Sequence, residues 1–412
     1  MPATTQQIEL FDVKAAYALA GGRAISNDQL YSNIATALGI STSAMQETSP
    51  VGKTANKTSL AKRQVRWHQQ TLKNAGVIER VEGKKGFWRL TKEAGVDLST
   101  SIGTVSLVGY STKLGAAVWG LCNSVFDNLD APITLCVTSP PYLRQKRAYG
   151  AINDEAEYID FLCAALEPVV KNLTSSGSIA LNVSNDIFVP GSPERSLYRE
   201  RLVLAMFDRL GLHKMDELVW QNRAKAPAPT QWASKTRQQL CVQWEPIYLL
   251  SPCPAEWGAD NRRVLEPHTE RYLAYLDRPE EKATKSFSDG QYRRGDNSFR
   301  RHGGGRIPRN VLEYAHTCGD QNRYKRAARA AGLPAHGAPQ PLALVRFLVN
   351  YLSCPDQLVV DPFGGSGTSA LAAELEGRRW ITTDANREYV LGSASRFRDA
   401  DGLWLNPDLI AA

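Results

Sequence analysis

Nowhere among the 412 residues does an apolar run approach the ~18 residues that a membrane-spanning helix requires. Met1 to Leu10 is polar and lacks the basic-then-apolar order of a secretory leader. Seven cysteines, an odd number without one Cys-x-x-Cys pair, argue against a disulfide framework and for reduced thiols. These absences lead us to expect a cytoplasmic protein without a membrane partner. Histidine is scarce, six in all, and only His316 and Cys318 stand close enough to suggest a ligand pair. Two ligands do not complete a zinc site, so no structural metal is expected. No Gly-x-Ser-x-Gly elbow exists, which leaves the esterase-like run His302-Gly303-Gly304-Gly305 as a loop. Val51-Gly52-Lys53-Thr54 imitates the end of a phosphate-binding loop, but Glu47 occupies the place of its first glycine.

What is present is ordinary globular material, 43% hydrophobic and 22% charged, enough for two or three domains. A net charge of +7 favours a polyanionic partner. Residues 1–95 read as a small separate module. Phe11 to Ala20 suits a helix stopped by Gly21-Gly22, and Ser26-Asn27-Asp28 opens a second, with Leu30, Ile34 and Leu38 on one face. A third helix, Leu60 to about Ala75, carries Lys62, Arg63, Arg66 and Lys73 beside Val65, Trp67 and Leu72. Val77 to Val81 and Phe87 to Leu90 then form a hairpin with the basic tip Gly83-Lys84-Lys85-Gly86. This order resembles a winged helix-turn-helix domain, whose third helix enters a DNA groove, so Arg63, Arg66, Lys84 and Lys85 are expected DNA contacts.

Residues 96–130 join this module to the rest, with a strand expected at Thr104 to Tyr110. From Ile133 strands and helices alternate, the mark of an α/β sheet. Strands are expected at Ile133 to Thr138, Ser178 to Val183, Asp216 to Gln221 and Pro246 to Ser251, with helices at Glu155 to Asn172 and Arg199 to Leu210. The rhythm breaks at residues 252–333, rich in Arg, Gly, Ser and Asp, and returns over 334–412. One sheet interrupted by an insertion fits better than two independent α/β domains.

Two short segments carry the chemistry. Asp361-Pro362-Phe363-Gly364-Gly365-Ser366-Gly367-Thr368 leaves an apolar strand and opens a helix. Its glycines admit a ligand close to the backbone, and the helix N-terminus offers free N–H groups. Asp384, at the end of the next strand, is placed to bind both hydroxyls of a ribose. The turn is no NAD fingerprint, because it begins with an acid and puts Ser366 and Thr368 where pyrophosphate binders keep small apolar residues. S-adenosyl-L-methionine has a ribose and a zwitterionic amino acid but no phosphate. Asp361 would bind its ammonium or orient the loop, Phe363 would cover it, and Thr368 would meet its carboxylate. Another nucleotide or a tight structural turn is the alternative.

The second segment is Thr138-Ser139-Pro140-Pro141-Tyr142. An exocyclic amine of a DNA base is a poor nucleophile, since its lone pair is delocalised into the ring. Acceptors aimed at its two protons favour the tetrahedral nitrogen needed for attack on a sulfonium methyl. Ser139 Oγ and the Pro140 carbonyl can supply them, and the Tyr142 ring can stack on an everted base. No cysteine nucleophile is required, and Cys253 reads as an ordinary thiol.

With both segments in this order, the chain resembles the permuted beta group of S-adenosylmethionine-dependent DNA amino-methyltransferases, nearest to the N4-cytosine enzymes of restriction-modification systems. The likeness covers about Gly115 to Arg398 and includes Arg144 to Gly150 and Trp244 to Ser251. It implies a Rossmann-like seven-stranded sheet, a cofactor site of Thr138, Asp361 to Thr368 and Asp384, and catalysis by Ser139, Pro140, Pro141 and Tyr142. It also implies target recognition by residues 252–333, with Arg144, Arg147, Arg293, Arg294, Arg300 and Arg301 as DNA contacts. The partners implied are double-stranded DNA and a companion restriction endonuclease. Where relatives often read His-Pro-Ala-Arg/Lys-Phe-Pro, this chain has His336-Gly337-Ala338-Pro339-Gln340-Pro341 and lacks the basic residue. Serine at the head of the Pro-Pro turn points to cytosine; adenine-N6 methylation is the alternative, and a DNA-binding regulator on a degenerate fold the more distant one.

Overall fold

Apolar residues at helical spacing build the N-terminal module as expected. In the computed structural model of the protein the described residues are 24–38, 41–51, 56–74, 78–81, 83–84, 86–91, 106–145, 152–277, 285–287, 289, 292–294 and 303–410, with Val13, Ala16 and Tyr17. Helices Asn27–Leu38, Thr42–Gln46 and Leu60–Asn74 stand with strands β1 (Ile25–Ser26), β2 (Thr48–Val51), β3 (Asn56–Ser59), β4 (Ile78–Arg80) and β5 (Phe87–Leu90). A three-stranded antiparallel sheet, in the order β1-β5-β4, closes over a core that includes Tyr17, Leu30, Ile34, Val65, Leu72 and Trp88. The β2–β3 hairpin falls where only a polar stretch was expected. Ser59 explains its place: the hydroxyl donates to Met45 O at 2.8 Å, and the backbone N–H of Lys62 donates to Ser59 Oγ at 3.2 Å. Of the helix expected at Phe11 to Ala20, Val13, Ala16 and Tyr17 are helical and buried, and the remainder lies outside the described residues.

The catalytic part is one ten-stranded sheet. Its strands are β6 (Leu107–Ser111), β7 (Gly115–Trp119), β8 (Ile133–Thr138), β9 (Leu173–Asn182), β10 (His213–Gln221), β11 (Trp244–Ser251), β14 (Val311–Glu313), β15 (Leu358–Asp361), β16 (Arg379–Asp384) and β17 (Trp404–Leu405). A separate hairpin, β12 (Lys285–Phe287) with β13 (Tyr292–Arg294), lies in the interrupting segment. The sheet order is β14-β10-β11-β9-β8-β15-β16-β7-β6-β17, so the seven strands from β10 to β7 form the expected Rossmann-like sheet. β14 extends one edge, and β6 with β17 extends the other.

β8 and β15 are buried on both faces, as central parallel strands must be. From β8 the chain crosses by helix Glu155–Lys171 to β9 on one side; from β15 it crosses by helix Thr368–Leu375 to β16 on the other. The order therefore reverses between β8 and β15, and ligands of such sheets bind outside the strand ends at that point. β7, β8, β15 and β16 run parallel, so Trp119, Thr138, Asp361 and Asp384 all end at one edge.

The segment expected to be an insertion up to residue 333 rejoins the α/β body earlier. β14 pairs in parallel with β10, and Arg396 binds Asp320 on helix Gly319–Ala330. This helix is highly polar except for a narrow stripe containing Tyr324 and Ala328, which hid its packing role from a reading of apolar runs.

Candidate functional site

Strand register brings the two distant motifs together. Val360 pairs with Cys136 one residue before Asp361, and Thr138 Oγ1 donates to Asp361 Oδ1 at 2.7 Å. A cavity of about 390 Å³ opens above this contact, lined by Ser139 to Tyr142 on one side and by Asp361 to Ser366, Thr368 and Asp384 on the other. Gly120 to Cys122, from the end of β7, and His336 with Ala338 to Gln340 also line it.

Asp361 is 5% exposed and fully engaged: besides Thr138 it accepts from Phe363 N at 3.0 Å. Burial raises its pKa, against hydrogen bonds from Ser369, Thr138 and Phe363. Of its two expected roles, orienting the loop is the one its contacts serve. Gly364 must be glycine, because a Cβ there would stand 2.0 Å from Thr382 Oγ1. Gly367 takes φ +69° just before the helix, a conformation that side chains other than glycine's rarely adopt. Phe363 meets Phe161 with ring centroids 5.7 Å apart, and both rings line the cavity.

Asp384 accepts Gly365 N through Oδ2 and Asn386 N through Oδ1, each at 2.7 Å. Burial pushes its pKa up to about 6, opposed by those two N–H groups. Each oxygen keeps a further lone pair for a ligand hydroxyl. Asp361 and Asp384 share the cavity with no lysine or arginine among the described lining residues. A phosphate-bearing cofactor would find no cation there, whereas a cationic ligand with ribose hydroxyls is matched in charge and hydrogen bonding.

On the opposite wall, Ser139 Oγ donates to Tyr142 Oη at 3.3 Å, and Tyr142 Oη donates to Glu245 Oε2 at 2.9 Å. Burial and then the Glu245 charge raise the phenol well above its ordinary pKa, so it stays a neutral donor. Lys225 Nζ binds the other Glu245 oxygen at 3.1 Å. With its proton committed to Tyr142, Ser139 has only lone pairs left to offer the cavity. Asn182 Oδ1 lies 3.2 Å from Tyr142 Oη and accepts from Gln340 Nε2 at 3.0 Å. Cys122 is the cysteine in the cavity wall, and burial pushes its thiol up to about 11, too high for a thiolate nucleophile near neutrality.

Other expected residues are tied up within the protein or fall elsewhere. Thr368 Oγ1 accepts from Arg396 Nη1 at 2.9 Å, so its hydroxyl is tied to the protein. Arg396 also donates to Ser366 O at 2.8 Å and pairs with Asp320; its side chain is 2% exposed. Arg144, expected on DNA, instead turns inward: its side chain is 23% exposed and binds Asn153 O, Phe188 O and Glu155. A φ of +61° at Arg144 belongs to this loop-fastening role. Arg63, Arg66 and Lys84 are exposed, and Arg66 Nε donates to Tyr31 Oη at 2.9 Å. Arg293 and Arg294 lie in β13, and their side chains are outside the described set, as are residues Lys85, Arg147, Arg300 and Arg301. His316 packs by Trp220, and no cluster of three metal-ligating side chains occurs among the described residues.

Glu245, Asn182, Gln340 and Arg396 were not singled out from sequence. Glu245 carried the best signal, an acid and a proline opening an otherwise apolar strand. Gln340 stands in the segment that lacks a basic residue, one position after Pro339, which takes that residue's place, and its amide donates to Asn182 Oδ1.

Residues 133–395 match a family model described as DNA methylase, and residues 15–99 match one described as the Mrr N-terminal domain. The Type II methyltransferase M.PvuII of Proteus hauseri is 32% identical over 70% of this chain and 85% of its own length. M.ScaI of Streptomyces caespitosus, another Type II methyltransferase, is 23% identical over 62% of this chain and 72% of its own. Among solved structures, PvuII DNA methyltransferase (cytosine-N4-specific) superposes with a TM-score of 0.55 at 29% identity, covering 70% of this chain and 88% of that one.

Proposed function

The chain belongs to the DNA methylase family, and on that premise we propose that it transfers a methyl group from S-adenosyl-L-methionine to the exocyclic N4 amine of cytosine in double-stranded DNA. One observation carries the reading: Ser139 and Tyr142 share a single cavity, without a lysine or arginine among its described lining residues, with Asp361, the glycine turn and Asp384. When bound, S-adenosylmethionine supplies an electrophilic methyl on its sulfonium. Asp384 would hold the ribose, and Thr138, Asp361 and the turn from Pro362 through Gly367 would shape the pocket around the rest.

The chain's own residues prepare the nucleophile. Ser139 Oγ, its proton directed to Tyr142, accepts one amine hydrogen; the Pro140 carbonyl, its direction narrowed by the Pro141 ring that follows, accepts the other. Both contacts favour a nitrogen moving toward tetrahedral geometry, so they strengthen as the transition state forms. Glu245 anchors Tyr142 from behind and so sets the position of its ring for stacking. The amine loses its proton after methyl transfer, and no strong base is needed.

The similarity to Type II enzymes favours a restriction-modification role, with a nuclease of the same sequence specificity as companion. Nucleoside mass spectrometry of DNA from cells expressing the protein, followed by site mapping, tests the reading. N4-methylcytosine at one sequence is the expected result. N6-methyladenine would move the target to adenine, and unmodified DNA would contradict the proposal.

A further inference from the structure

Gln221 pairs with Trp244, so residues 222–243 form a long loop closing the β10–β11 hairpin. β10 is antiparallel to β11, β11 to β9, and β9 is parallel to β8. Gln221 therefore ends at the same sheet edge as Thr138, and the loop rises beside the cavity. Glu245 ties the root of this loop to the chemistry, since its carboxylate takes Lys225 on one oxygen and Tyr142 on the other.

The loop contains four basic residues, Arg223, Lys225, Lys235 and Arg237, and no acid. Arg223 and Lys225 pair with Glu313 and Glu245, but Lys235 and Arg237 are exposed and in no ion pair among the described residues. Arg237 takes φ +58°, a left-handed conformation uncommon outside glycine. The loop is nonetheless built. Val242 N donates to Ala228 O at 2.7 Å, Gln238 N to Trp232 O at 2.8 Å, and Gln239 Nε2 to Pro193 O at 3.1 Å. Within it Leu240 is 88% exposed, more than any other large apolar side chain among the described residues. Glu245 stands five positions further along the chain, a reach of at most about 18 Å.

We propose that this loop grips the DNA strand beside the target base, with Lys235 and Arg237 on phosphates and Leu240 inserted into the stack that the everted base leaves. Apolar wedges flanked by phosphate-binding cations are a general means of holding an opened base step. The proposal rests on the reading of the protein as a methylase of an everted base.

Two measurements test it. Binding of the full-length protein to a 30-base-pair duplex, followed by fluorescence anisotropy across salt concentrations, reads the cations. Lys235→Ala with Arg237→Ala should lower the slope of log affinity against log salt by about 1.8, the loss of two phosphate contacts. An unchanged slope overturns the grip. Methyl transfer to a duplex carrying the mapped site reads the wedge. Leu240→Ala should lose about tenfold on a paired target and recover on one whose target base is mispaired, where unstacking is easier. Equal losses on both duplexes overturn the wedge, as does a change in sedimentation of the DNA-free variant, which would make Leu240 a contact between two copies. Should the wild-type protein methylate neither duplex, the methylase reading itself fails, and the salt slope alone then decides the grip.

Discussion

At the scale of single residues, the proposed mechanism works by committing protons in advance. Ser139 can act as an acceptor because Tyr142 takes its hydrogen, and Tyr142 is oriented because Glu245 takes its own. Tyr142→Phe keeps the stacking ring and removes the relay. Turnover should fall roughly tenfold, the scale of one neutral hydrogen bond, in a single-turnover assay; unchanged turnover would show that Ser139 orients itself. Asp384 gives a pH test. Its carboxyl has a pKa of about 6 in the folded protein against 3.8 ordinarily. That raised value means the group favours the fold most below about pH 4 and loses this contribution as pH climbs through about 6. Ribose hydroxyls favour the ionised form, so cofactor affinity should rise with pH through about 6 and level off above it. Asp384→Asn should flatten that rise in calorimetric titrations.

At the scale of elements, the glycine turn is held from below as well as shaped from within. Gly364→Ala forces its Cβ onto Thr382 Oγ1, at a cost of about 1–3 kcal/mol for overpacking. Cofactor affinity should drop, and adding Thr382→Ala should restore part of it; no recovery would place the strain elsewhere. Arg396→Ala removes a buried guanidinium and leaves Asp320 only the 4.0 Å pair with Arg323, which should destabilise the fold by about 3 kcal/mol in denaturant titration. These elements also mark what the sequence could reveal. The apolar strand before Asp361, the acid ending β16 and the Pro-Pro turn were legible, because parallel central strands read as unbroken apolar runs. Helix Gly319–Ala330 was not, since so little of its surface is apolar. Arg144 misled for a different reason: charge suggests DNA, but only the folded loop reveals carbonyls at Phe188 and Asn153 waiting for its guanidinium. Lys225 and Glu245 meet only across a hairpin whose loop length hides their pairing.

At the scale of the whole molecule, a methylase sheet carries a separate basic module with its own core. Arg63 is exposed on helix Leu60–Asn74, with Trp67 59% exposed beside it, the composition of a nucleic-acid-facing helix. Deleting residues 1–95 should weaken DNA affinity and its salt dependence more than single-turnover chemistry; if neither changes, that module binds something else. The sheet itself explains how residues more than two hundred positions apart line one cavity: the strand order reverses between β8 and β15, and their ends face one crevice. Methyl transfer from labelled S-adenosylmethionine to duplex DNA by Ser139→Ala, with cofactor binding measured on the same protein, tests that juxtaposition most directly. Turnover should fall about a hundredfold, the scale of losing one placed dipole, while cofactor affinity holds. Turnover equal to that of the unaltered protein would contradict it.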